Sequence, residues 1–137
     1  MQKLILDTNV VISSLIQKNF PYLILEYCFD GKAIICLSNP ILQEYFEVVR
    51  RPKFARFPDF LSNAEFLLTR LQEYSEFYDP SDKIDLIADE PDNRLLELAR
   101  QSKANFIVTG NTNDFKMSSF ETTKIVSPRE FWTEHKK

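Results

Sequence analysis

Histidine and cysteine are scarce in this chain of 137 residues. There is one histidine, His135, and there are two cysteines, Cys28 and Cys36. A single histidine near the C-terminus argues against hydrolases that pair a serine or cysteine nucleophile with a histidine base. The combined count is too small for a zinc site made of four Cys and His ligands. Both cysteines lie among apolar residues, which predicts buried, reduced thiols and a cytoplasmic location.

Glycine, methionine and long apolar runs are also rare. Two glycines and two methionines leave little room for flexible linkers, and no apolar run approaches the roughly 20 residues that a membrane span needs. The hydrophobic share of 44% and the charged share of 27% predict one globular domain over residues 1–137, with no membrane partner. The net charge of −3 argues against a protein that coats nucleic acid. It does not argue against an enzyme that holds nucleic acid through metal ions.

Short apolar runs alternate with amphipathic segments along the chain. The runs predicted as buried strands are 4–6, 33–37, 106–109 and 124–126, with a further short strand at 85–87. The segments predicted as helices are 9–17, 21–29, 39–51, most of 54–78, 91–102 and 127–132. Strands that alternate with helices predict an α/β fold, in which helices cover both faces of a parallel sheet.

Acidic side chains follow two of the predicted strands. Asp7 ends the first strand, and Asn111 and Asp114 come directly after the third. Ligands of open parallel sheets bind outside the carboxyl ends of the strands. The topology therefore predicts that these side chains share one edge of the sheet.

Two further acids lie on the apolar sides of predicted helices. Glu44 is on the same helical face as Ile41 and Val48, and Asp92 is aligned with Leu96. A carboxylate among apolar residues costs desolvation unless something pairs with it. Taken alone, Asp92 also suits the first turn of a helix, where negative charge is favoured, and Glu44 also suits a side chain that reaches solvent.

Convergence of the four acids points to a bound cation. Two carboxylates about 4 Å apart repel by roughly 4 kcal/mol at an effective dielectric of about 20. An oxygen-only ligand set of this kind suits Mg²⁺ or Mn²⁺. The candidate metal-binding and catalytic residues are therefore Asp7, Glu44, Asp92 and Asp114.

A basic cluster follows the third predicted helix. Its cations are Arg50, Arg51, Lys53 and Arg56, interleaved with Phe54 and Phe57. Such a cluster predicts contacts with an RNA backbone and stacking of bases on the aromatic rings. An equally good interpretation is that the cations stabilise the C-terminus of the helix.

Four ordered segments resemble the motifs of a known family. They are LDTNV at 6–10, LQEY at 42–45 followed by RRPKF at 50–54, DEPDN at 89–93 with LELA at 96–99, and IVTGNTNDF at 107–115. Together they resemble the PIN domain family, and within it the toxins of toxin–antitoxin pairs (VapC-like ribonucleases).

The resemblance implies a three-layer α/β/α fold with a central, mostly parallel five-stranded sheet. It also implies Mg²⁺- or Mn²⁺-dependent cleavage of single-stranded RNA, an antitoxin partner and a homodimer. Asp7, Glu44 and Asp92 match the first three acidic positions of the family, and Thr8 and Asn9 are expected to orient them.

The fourth motif departs from the family, because Asn111 stands where many members carry an acid. Either Asp114 replaces that acid, or the site holds three carboxylates with Asn111 as a supporting ligand. The departure keeps open the alternative of a weak or inactive PIN-like module that binds RNA or protein. A phosphoacceptor receiver domain is disfavoured, because Asp7 has no adjacent acid.

Overall fold

A six-stranded sheet forms the centre of the molecule, which a computed structural model describes over residues 1–137. The strands are β1 (Lys3–Leu6), β2 (Ile34–Ser38), β3 (Glu76–Tyr78), β4 (Phe106–Val108), β5 (Ser119–Phe120) and β6 (Thr123–Val126), in the spatial order β3-β2-β1-β4-β6-β5. All neighbours pair in parallel except β5 and β6. The predicted α/β class with a mostly parallel sheet is confirmed, and the predicted count of five strands is wrong.

Helices connect the strands and flank the sheet. They are α1 (Thr8–Ile16), α2 (Phe20–Phe29), α3 (Asn39–Val49), α4 (Phe60–Tyr74), α5 (Glu90–Ser102), α6 (Thr112–Phe115) and α7 (Pro128–Glu130), with a 3₁₀ turn at Pro52–Phe54 and a π-helical turn at Phe131–His135. Proline stands in the first turn of α2, α3, α5 and α7, where its missing N–H has no helical partner to lose.

The first strand shows that both faces of the sheet are covered. Leu4, Ile5 and Leu6 are each 0% exposed, although successive side chains of a strand point to opposite faces. Cys28 and Cys36 are buried, unpaired thiols, as the sequence predicts. No helix combines the length and the apolar content that crossing a lipid bilayer requires.

The segment predicted as a strand at 85–87 is a loop, and that prediction is wrong. The backbone N–H groups of Leu86 and Ile87 donate to Oδ1 of Asn93, at 3.1 and 2.9 Å. A side-chain amide thus satisfies the backbone groups that a neighbouring strand would otherwise satisfy.

The middle of the chain is less helical than predicted. Helix α4 ends at Tyr74, and Glu76–Tyr78 pairs with β2 as an edge strand. Ala64, Leu68 and Leu71 share the buried face of α4, whereas Leu61 is exposed because Phe60 takes the core position beside it. The hairpin partner β5 was also not predicted, because two residues are too few to show a periodic pattern.

Candidate active site

An open cleft of about 470 Å³ lies at the carboxyl ends of β1 and β4. It is lined by the four acids predicted from the sequence, Asp7, Glu44, Asp92 and Asp114, and by a fifth, Asp89. These residues come from the end of β1, from α3, from the start of α5 and from α6. The structure therefore brings together four chain segments that are distant in sequence. We call this cavity the acidic cleft.

Asp7 is held by three donors at the base of the acidic cleft. Its Oδ1 accepts from the backbone N–H of Thr8 at 2.7 Å. Its Oδ2 accepts from Oγ1 of Thr109 at 2.7 Å and from Nδ2 of Asn9 at 3.3 Å. Burial nevertheless raises the pKa of Asp7, and the negative charges of Glu44 and Asp89 raise it further, while the hydrogen bonds act in the opposite direction.

Glu44 is half-buried and reaches the cleft from α3. Its Oε2 accepts a hydrogen bond from the hydroxyl of Thr8, so Thr8 contacts two of the carboxylates through different atoms. The adjacent Tyr45 is buried and donates its hydroxyl to the carbonyl of Leu6. This bond fixes α3 against the end of β1, next to Asp7.

Asp92 lies in the first turn of α5 and is only 8% exposed. Burial is the main cause that raises its pKa to about 7, and the charges of Asp7, Asp89, Asp114 and Glu44 add to the effect. Repulsion from all four other acids shows that the cleft accumulates negative charge.

Asp89 is the acidic residue that sequence reasoning did not place in the site. It is the N-cap residue of α5, yet its side chain makes no capping hydrogen bond. Instead it is exposed at the mouth of the acidic cleft and raises the pKa of both Asp7 and Asp92. A signal was present, because Asp89 and Asp92 are three residues apart across the first turn of a helix.

The loop after β4 is tied to the start of α1 by Asn9 and is held in shape by a hydrogen bond of its own. Oδ1 of Asn9 accepts from the N–H of Gly110 at 2.9 Å, and Oγ1 of Thr109 accepts from the N–H of Asn111 at 3.0 Å. A Cβ at Gly110 would lie 3.3 Å from Oδ1 of Asn9, so glycine allows this close approach. Asn111 and Asp114 are exposed and line the cleft from this loop.

The predicted basic cluster divides into two parts. Arg51 and Lys53 line the acidic cleft, whereas Arg50 and Arg56 do not. Arg50 donates to the carbonyl of Phe46 at 3.0 Å near the C-terminus of α3, which is the stabilising role that helix termini offer to cations. Arg56 lies 4.9 Å from the centre of the Phe57 ring.

Phe54 lines the acidic cleft but has little free surface for the base stacking that the sequence predicts. It is buried, and its ring stacks on that of Phe60 with 5.0 Å between centroids. Phe57 is half-buried and keeps part of its surface open.

The donor set of the acidic cleft suits a hard divalent cation, because all of its candidate ligands are oxygen atoms. No three Asp, Glu, His or Cys side chains converge closely enough to form a ready-made metal site. The carboxylates thus have the right chemistry but stand apart, as groups that repel one another do.

Two comparisons of sequence relate this chain to other proteins. The sequence model of the PIN domain matches residues 3–113, a range that contains Asp7, Glu44, Asp89 and Asp92. An uncharacterized protein of Methanocaldococcus jannaschii is 30% identical over 144 aligned positions, which cover 98% of this chain and 92% of the relative.

Proposed function

We propose that this chain, which belongs to the PIN domain family, is a Mg²⁺- or Mn²⁺-dependent endoribonuclease that cleaves single-stranded RNA in the acidic cleft. PIN domains are generally nucleases, and nucleases of this kind generally use divalent metal ions. The observation that carries the proposal is the gathering of Asp7, Glu44, Asp92 and Asp114 from four chain segments into one open cavity.

The acids have distinct places in the proposal. Asp7 and Asp92 are buried and would hold the cation directly, whereas Glu44 and Asp114 would complete its surroundings or orient the attacking water. Asp89, at the mouth, adds negative charge that favours the same cation. When bound, a divalent cation neutralises charge on the scissile phosphate and lowers the pKa of a bound water.

Residues in and beside the cleft hold the carboxylates and the substrate in place and take no part in the reaction itself. Thr8, Asn9 and Thr109 donate hydrogen bonds that fix the carboxylates, as outer partners of metal ligands commonly do. Asn111 offers a carbonyl oxygen without charge. Arg51 and Lys53 line the same cavity as the acids, where cations attract a phosphate backbone.

A cleavage assay tests the proposal. Three end-labelled substrates of one sequence, single-stranded RNA, double-stranded RNA and single-stranded DNA, are incubated with Mg²⁺, with Mn²⁺ and with EDTA. The expected result is cleavage of single-stranded RNA that needs a metal ion and is lost in Asp92→Asn. The exposed Asp30, which follows α2, supplies the control Asp30→Asn, which should cleave like wild type. Equal cleavage by Asp92→Asn and wild type would refute the site.

The second candidate function is a PIN-like module that binds RNA or protein without cutting. The observation that favours it is the uncharged Asn111 beside carboxylates that do not converge on one point. Binding of labelled RNA with no cleavage under any metal condition would select this alternative.

Three expectations stay predictions: that the chain is a toxin, that it binds an antitoxin protein, and that it forms a homodimer. A groove between α1, α2 and α4 is the surface where a protein partner would be sought, because Phe66 and Leu67 line it and Phe66 is largely exposed. Light scattering on the purified chain gives the mass in solution, and growth arrest on expression tests toxicity.

A further inference from the structure

A second cavity of about 380 Å³ adjoins the acidic cleft and shares Asp89 and Asp114 with it. Its other walls are mainly apolar and come from the loop before α5 and from α6 with the residues that follow it. The apolar residues are Leu86, Ile87, Ala88, Phe115 and Met117. We call this cavity the apolar pocket.

The loop that carries the apolar pocket is fastened to α5. Asn93 is fully buried, and its side chain accepts from the N–H groups of Leu86 and Ile87 and donates to the carbonyl of Ile87 at 2.8 Å. Leu86 is therefore held by its backbone while its side chain remains 61% exposed. An exposed apolar side chain on an anchored backbone is available to a ligand.

We propose that the apolar pocket binds one unpaired nucleobase of the single-stranded RNA whose phosphate lies in the acidic cleft; this inference rests on the proposed function. The shared acids indicate which part of a nucleotide enters. Away from the cation proposed for the acidic cleft, Asp89 and Asp114 repel a phosphate. A base is uncharged, has apolar faces that suit Leu86 and Met117, and has polar edges.

Two polar side chains of the apolar pocket complement the same ligand. Asn113 carries an amide that both donates and accepts hydrogen bonds, as the edge of a base requires. Lys116 supplies a cation at the pocket for the adjoining phosphate. Continuity with the acidic cleft favours a nucleobase over a segment of a protein partner, because a base and a phosphate of one strand then occupy neighbouring cavities.

Methyl-group NMR tests the inference without measuring cleavage. The Asp7→Asn variant, with Asp92→Asn as a second background, keeps the RNA intact, and its Leu, Ile, Val and Met methyl groups are labelled. The probes are a single-stranded hexanucleotide and its abasic counterpart, which has the same sugar-phosphate backbone and no bases. We expect upfield ring-current shifts of the Leu86 and Met117 methyls with the first probe only, and no shift at Leu61, an exposed leucine of α4 outside both cavities.

Affinity gives a second measurement. Leu86→Ser should weaken binding of the hexanucleotide by about tenfold, within the range of one lost base contact, and leave binding of the abasic probe unchanged. Leu61→Ser is the matched control and should bind both probes like its parent.

The outcomes separate this inference from the proposed function. Shifts at Ile12 and Val48, which line the acidic cleft, without shifts at Leu86 and Met117 would overturn the nucleobase site and leave the nuclease proposal standing. Equal shifts with both probes would also overturn it, because the backbone alone would cause them. No shift at any of these methyls would refute RNA binding in the cleft, and both proposals with it.

Discussion

Oγ1 of Thr109 donates a 2.7 Å hydrogen bond to Oδ2 of Asp7, although 102 positions separate the two residues. Asp7 follows β1 and Thr109 follows β4, and these strands are parallel neighbours. Thr109 is 0% exposed, so its hydroxyl is shielded from solvent and has this carboxylate as its hydrogen-bond acceptor. The bond joins two strand ends and aims the acid into the cleft.

Removing that hydroxyl should reduce both the cleavage rate and the stability of the fold. Thr109→Val keeps the shape of the side chain but leaves Asp7 without one of its donors. We expect the cleavage rate to fall by about 10- to 100-fold, the usual cost of losing an outer partner of a metal ligand. The free energy of unfolding should fall by about 1–3 kcal/mol, because buried polar groups lose their partner. Thr109→Ser restores the hydroxyl and should recover most of the activity. Failure of serine to rescue would mean that Thr109 contributes packing alone.

Neutralising Asp7 should abolish cleavage and leave the fold intact. Because burial and repulsion raise the pKa of Asp7, its charge destabilises the metal-free protein. Asp7→Asn should therefore melt no lower than wild type in EDTA, as followed by circular dichroism. Its cleavage of single-stranded RNA with Mg²⁺ or Mn²⁺ should be undetectable, and cleavage at the wild-type rate would remove Asp7 from the site.

Asp92 should make the stability of the metal-free protein depend on pH. Its pKa rises from an ordinary value of 3.8 to about 7 on folding, so between these values the folded state binds more protons than the unfolded state. The unfolding free energy must then decrease as pH rises through this window. From pH 5 to pH 8 in EDTA we expect the free energy of unfolding to fall by an amount on the order of 2–3 kcal/mol from this group, measured by urea denaturation.

The control for that prediction is Asp92→Asn, which cannot titrate and should have a flatter profile. A metal ion displaces the proton, so Mn²⁺ affinity of the wild type should rise with pH up to about 7. Identical pH profiles for wild type and variant would show that Asp92 titrates near its ordinary value.

The contribution of the fourth motif to metal binding can be tested by substitutions that add or remove one negative charge. Asn111→Asp should tighten Mn²⁺ binding, since hard cations bind chiefly through charge and geometry, and Asp114→Asn should weaken it. Asn113→Asp adds the same charge outside the acidic cleft and should bind Mn²⁺ like wild type. Calorimetric titration measures all three. If Asp114→Asn binds normally while Asn111→Asp binds tighter, the native site has three carboxylates and Asp114 is not among them.

The basic residues should differ in their contribution to RNA binding. Arg51 and Lys53 line the acidic cleft, so alanine at either should weaken RNA binding. The slope of log binding constant against log salt concentration should become shallower by about one unit. Arg50→Ala is the matched control, because Arg50 bonds to the carbonyl of Phe46. Equal effects of all three substitutions would indicate a diffuse electrostatic contribution instead of phosphate contacts.

Periodicity in the sequence was sufficient for the fold class and for much of the site. The continuous apolar run ending at Asp7 and the positions of Glu44 and Asp92 on apolar helical faces are local patterns, and the structure places all three around one cavity. The strand Glu76–Tyr78 could not be predicted in this way, because three residues have no period and its pairing partner β2 is about 40 positions away.

The sequence by itself thus determined the main buried strands and which acids end strands or begin helices, because these properties depend on neighbours within a few positions. Only the tertiary structure decided how the acidic cleft is completed. Asp89 enters it instead of capping α5, Thr109 reaches across to Asp7, and Arg50 turns away while Arg51 faces the acids. Each of these outcomes depends on contacts between segments distant in the chain, whose geometry is set when the strands pair and the helices pack onto the sheet.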